Sequence, residues 1–153
     1  MLKRYLSLLG VLAVLIVLTA CGQIAFAGDQ ESEADAGGSA ELDTAGLIDV
    51  LKAAGASVEP EGQVNQDFFS VTGQTILLNG QSVQVFEYAD AAQAEAEASE
   101  ISEDGGSVGT SMIMWIDAPH FYRSGKLIVL YVGSDAGATA ALEAALGAQI
   151  AGR

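Results

Sequence analysis

An α+β domain is what this sequence predicts, and three observations predict it. Apolar stretches with helix and strand periods follow one another in the order α-β-β-α-β-β-α between Leu42 and the C-terminus. Each pair of strand-like runs is joined by a short glycine turn, Asn79-Gly80 in the first and Ser124-Gly125 in the second. The two α-β-β segments also match at an offset of 45 residues, which pairs Ile76 with Phe121, Gly80 with Gly125, Val83 with Ile128, Val85 with Leu130 and Phe86 with Tyr131. Two hairpins joined through a helix imply an antiparallel sheet of about four strands. The helices, including a closing one, are expected on one face of it.

The elements follow in chain order. Asp43 or Thr44 can cap a first helix, with Leu47, Ile48, Leu51 and Ala54 at helical spacing and Gly55 as its stop. Phe68–Val71 reads as strand, Thr72-Gly73 as a bend and Thr75–Leu78 as its resumption. Asn79-Gly80 suits a type I′ turn, which needs positive φ at both central residues. Ser82–Tyr88 then returns as a strand. Asp90 caps the second helix, with Gln93 three residues on and a buried stripe of Ala91, Ala94, Ala98 and Ile101. Ser111–Asp117 is the next strand, broken at Pro119 and resumed by His120–Arg123. Leu127–Val132 is apolar on both faces, the mark of a central strand covered on both sides. Asp135 caps the closing helix, with Leu142, Leu146 and Ile150 on one stripe.

The N-terminus reads as an address. Lys3 and Arg4 precede an apolar run from Leu6 to Ala20, the plan of a secretory signal peptide over 1–20. The run ends in Leu18-Thr19-Ala20-Cys21-Gly22, which resembles a bacterial lipobox. That resemblance implies diacylglycerol on the Cys21 thiol, cleavage before Cys21, and a lipoprotein held on the extracytoplasmic side of the cell membrane. Two other readings stand beside it. Residues 6–28 are long and apolar enough for an uncleaved spanning helix. Ala25-Phe26-Ala27 is an A-x-A site whose cleavage would free the chain. In every case the acidic remainder crosses the membrane.

Residues 21–41 form the tether. Its stretch 28–41 (GDQESEADAGGSAE) holds five acids, no base and no apolar period, as a flexible, self-repelling linker does. Fourteen such residues span on the order of 20 Å. The single domain is expected over 42–153. There the run HFYRSGKLIVLYVGSD (120–135) is similar to small uncharacterised bacterial lipoproteins, a resemblance that implies no activity.

Charge and composition exclude several functions. The chain of 153 residues has 20 Asp and Glu against 6 Lys and Arg. Losing Lys3 and Arg4 leaves 20 acids and 4 bases, a charge of −16. Such a chain offers no basic footprint to nucleic acid, and an anionic bilayer repels it. A cationic protein or small ligand is the partner electrostatics allows. One Cys excludes an intrachain disulfide, and one His disfavours a His triad or multi-His cage. There is no P-loop, no GxSxG elbow and no dinucleotide fingerprint, and no cofactor is called for. The expectation is therefore a non-catalytic binding module.

Three groups are candidate sites. Met112, Met114, Trp115 and His120 loosely resemble the Met-x-Met, His and Trp set of periplasmic copper chaperones, in a different order and spacing. Thioethers and imidazole suit Cu(I), so Met112, Met114 and His120 are the alternative metal ligands, although gap-filling in the core is the commoner use of Met. His120, Tyr122 and Arg123 are a candidate contact for a small ligand or protein. Strand alternation, however, puts His120 and Tyr122 on one face and Phe121 and Arg123 on the other. Glu95, Glu97, Glu100, Glu103 and Asp104 make an acidic helix and loop without EF-hand spacing, readable as a solvated face. A carboxylate-based hydrolase is the remaining alternative, with no pair singled out.

Overall fold

A computed structural model describes residues 41–152, which lie within one compact unit. The expected signal peptide, Cys21 and the expected tether up to residue 40 lie outside the described residues. The elements are α1 (Thr44–Ala53), β1 (Val58–Val64), β2 (Gly73–Leu78), β3 (Gln81–Glu87), α2 (Ala91–Ser99), β4 (Ser107–Val108), β5 (Ser111–Met112), β6 (Pro119–Ser124), β7 (Leu127–Val132), α3 (Ala136–Leu146) and β8 (Ala151–Gly152). Six strands form one antiparallel sheet in the order β1-β2-β3-β7-β6-β8, and β4 and β5 form a separate small one. The α+β class is thus as expected.

Local chemistry places the helices. Asp43, Asp90 and Asp135 each precede a helix and accept the N–H three residues on, from Gly46, Gln93 and Ala138 at 2.7, 2.9 and 2.8 Å. Each bond satisfies one of the N–H groups a helix start leaves unpaired. Asp43, not Thr44, is the first cap.

The helices do not share one face of the sheet. α1 and α3 bury Leu47, Leu51, Ala138, Leu142 and Leu146 against Ile76, Val83, Val85, Tyr122, Val129 and Tyr131. α2 covers the opposite face through Ala94 and Ala98, beside Phe86, Phe121, Ile128 and Leu130. The reason lies in β7, whose successive side chains are buried on both sides, as its apolar run predicts.

The sheet has six strands instead of about four. β1 (VEPEGQV) buries only Val58 and is held by main-chain pairing to β2, so no apolar alternation betrays it. α3 stops at Leu146 and Gly147 caps it, so Ile150 lies beyond the closing helix. The Ile150 N–H donates to the Phe121 carbonyl at 2.8 Å, and Ala151 and Gly152 pair with Phe121 and His120 as β8. Phe68–Val71 is a turn and bend, with Phe69 buried against Phe86 at 4.7 Å between ring centroids. Only Ser111–Met112 of the expected 111–117 strand is paired as strand, and Pro119 opens β6 where a break was expected.

The 45-residue match is out of register with the hairpins. Leu78 pairs with Gln81 around Asn79-Gly80, while Ser124 pairs with Leu127 around Gly125-Lys126. The first turn has its glycine second, and the other has it first. Aligning glycine on glycine therefore slips the strands by one residue, which exchanges faces. At 45, Val83 and Val85 fall on Ile128 and Leu130 in the opposite core layer. The hairpin pairing places them on Val129 and Tyr131, in the same layer.

Candidate functional site

The site is built on the stretch Gly105–Ile116, twelve uncharged residues between Asp104 and Asp117 in an acidic chain. β4 and β5 pair Ser107 with Met112 and Val108 with Ser111. The Ile113 N–H extends this ladder to the Gly106 carbonyl at 2.9 Å. Alternate side chains then separate. Ile113 and Trp115 turn inward onto the α2-side core. The Trp115 indole N–H donates to the Gly105 carbonyl at 2.6 Å, and its ring meets Phe68 and Phe121 edge-on at 6.1 and 5.9 Å. Met112, Met114 and Ile116 turn outward and are 92%, 98% and 99% exposed.

An anchored backbone thus carries a row of three bare apolar side chains. Covering each would contribute about 1.5–3 kcal/mol. Two shallow grooves flank the row and share Asp117. One, of about 480 Å³, runs past Ile116, Gln81, Tyr131 and Asp135. The other, of about 390 Å³, runs past Trp115, Gly106 and Pro119.

The carboxylates in the first groove serve the fold. Asp117 accepts the Ala118 N–H at 2.8 Å and the Ser134 hydroxyl at 3.4 Å, and Asp135 caps α3. A larger groove of about 590 Å³ lies by Pro60, Thr72, Gly73 and Glu87. Its Glu87 accepts the Thr44 hydroxyl at 2.8 Å and the Thr44 N–H at 3.0 Å, and pairs with Lys126 at 2.7 Å. The Lys126 ammonium, ahead of the opposing burial and the two Thr44 bonds, holds its carboxyl below the ordinary value.

The other sequence candidates lie apart. His120 is buried, with Nδ1 2.7 Å from the Gln149 amide oxygen and Nε2 3.0 Å from the Gly133 carbonyl. Its ring stacks on Tyr131 at 5.6 Å. Both nitrogens are engaged, so the imidazole does not join the Met112 and Met114 thioethers. Tyr122 is fully buried in the α1/α3 core, where burial raises its phenol pKa. Arg123 reaches the other way and pairs with Glu95 of α2 at 2.6 Å. His120, Tyr122 and Arg123 therefore form no common surface. Among the described residues no three His, Cys, Asp or Glu side chains are grouped to hold a metal.

Ile116 is the site residue that the sequence reading missed. The uncharged stretch around it was the available signal. Comparison with family models, curated proteins and solved structures found no match to this chain.

Proposed function

We propose that this chain is a lipoprotein tethered through Cys21 to the extracytoplasmic side of the cell membrane, and that its domain is a non-catalytic binding module. The address rests on Lys3-Arg4, the apolar run and Leu18-Thr19-Ala20-Cys21. The observation that carries the binding reading is the exposed row Met112, Met114 and Ile116 on an anchored backbone. Soluble surfaces seldom present contiguous apolar side chains without a partner for them.

Two experiments test this. Cys21→Ser is expected to abolish palmitate labelling and release the protein from membranes, and labelling that persists would refute the lipid anchor. A photo-crosslinking residue at position 114 is expected to yield a discrete adduct in cells, weakened by Met112→Ser with Ile116→Ser. No adduct would refute the binding reading.

Copper handling is a second reading, supported by two exposed thioethers on one side of β5 and its continuation. It retains Met112 and Met114 without His120. Cu(I) competition with bicinchoninate checks it: Met112→Ser with Met114→Ser should remove any binding.

A further inference from the structure

Two edges of strand pairing in this fold, β1 and β5, are finished differently. β1 is an outer strand of the main sheet. It carries Glu59, Pro60 and Glu61 and a register break between Pro60 and Gly62. Charge, proline and a bulge are the means by which proteins stop an edge strand from pairing with another chain. β5 and its continuation have none of them until Asp117. In an antiparallel ladder, main-chain groups alternate in direction. Since Ile113 bonds inward to Gly106, Met112 and Met114 turn their N–H and C=O groups away from β4. An open main-chain edge and bare side chains thus coincide at Met112 and Met114, and Ile116 continues the side-chain row into the bend that follows.

We infer that this edge is a strand-addition site whose occupant is an extended apolar segment of a partner protein with basic residues at its ends. Main-chain bonds to Met112 and Met114 would supply register. Alternate apolar side chains of the segment would cover Met112, Met114 and Ile116. Charge complementarity sets the flanks: Asp104 and Asp117 line one groove with Trp115 at one end of the edge, Glu100 lies beside Gly109 in the turn at the other, and the chain without residues 1–20 carries 20 acids against 4 bases. The same charge opposes a second copy of this chain as the occupant. The inference rests on the binding-module reading and names the partner's chemistry.

Trp115 is the chain's single Trp and lies between Met114 and Ile116, so its emission reports occupancy. The probe is a synthetic peptide of alternating Val and Thr with two Lys at each end, added to the full chain in neutral detergent. A saturable emission change is expected. It should weaken at least tenfold when Glu replaces the flanking Lys, and vanish when Pro interrupts the core. Met114→Pro, which deletes an outward N–H, and Met112→Ser with Ile116→Ser should each weaken binding at least tenfold while retaining the parent's thermal transition. If Met114→Pro alters that transition, the Pro-interrupted peptide on the parent chain tests the same main-chain bonds. Binding indifferent to both Pro changes overturns strand addition. So does an emission change that grows with protein concentration alone, which assigns the edge to a second copy, or one obtained only with phosphatidylcholine vesicles, which assigns it to the membrane. A crosslink at position 114 in cells, with no peptide binding, overturns this partner and leaves the binding module standing.

Discussion

Asn79 and Gly80 have φ of 51° and 82°, so both central residues of the first hairpin turn are left-handed. A side chain at Gly80 meets no atom within 4 Å, and the cost of adding one is therefore conformational. Gly80→Val is expected to destabilise the domain by about 1–2 kcal/mol through that backbone strain. Equilibrium denaturation measures it, and an unchanged midpoint would contradict the turn assignment. Glu87 makes a different kind of residue-scale prediction. Its folded carboxyl pKa lies below the ordinary 4.5, chiefly because Lys126 hydrogen bonds it. The unfolded chain then binds the proton more readily, so the contribution to stability is present above that value and lost as pH falls through the depressed one. Glu87→Gln should be less stable than the parent near neutrality, and the gap should close as pH falls from 4.5 through the depressed value. The carboxylate is partly exposed, so the gap is small and narrows in salt. A gap constant from pH 7 to pH 3 would show that the ion pair contributes nothing.

At the scale of elements, β8 is a strand that a single methyl group should displace. It has two residues, and a Cβ at Gly152 would collide with the Pro119 carbonyl oxygen. Gly152→Ala should therefore detach β8 from β6. The Ile150 N–H, bonded to Phe121, and the Gly152 N–H, bonded to Glu103, are expected to exchange faster by at least tenfold, with the β3–β7 amides unchanged. Uniform protection across both sets would refute an independent edge. This strand also shows why some elements were legible in the sequence and others were not. Helix starts were, because an Asp cap acts within three residues. β7 was, because burial on both faces leaves a continuous apolar run. β1 and β8 were not: main-chain pairing holds them, and it leaves no side-chain pattern. The candidate site was half legible. Period 2 put Met112 and Met114 on one side, but which side would be covered depended on the Trp115 indole finding the Gly105 carbonyl and the Phe68 and Phe121 rings.

At the scale of the whole molecule, charge decides which partners can approach. Arg123 and Lys126, two of the four bases left after residue 20, are already paired with Glu95 and Glu87. A nucleic acid would have to release counterions against Lys and Arg that are few and partly engaged. A cationic segment meets an attractive field that salt screens over about 8 Å at physiological ionic strength. The expected result is no saturable binding of duplex DNA at any salt. Lys-flanked peptide binding should weaken as salt rises but persist at physiological ionic strength. The persistence is the informative part, because burial of Met112, Met114 and Ile116 does not depend on screening. Peptide binding that disappears at physiological salt would mean that only diffuse charge attracts the peptide. Saturable DNA binding there would overturn the electrostatic argument itself.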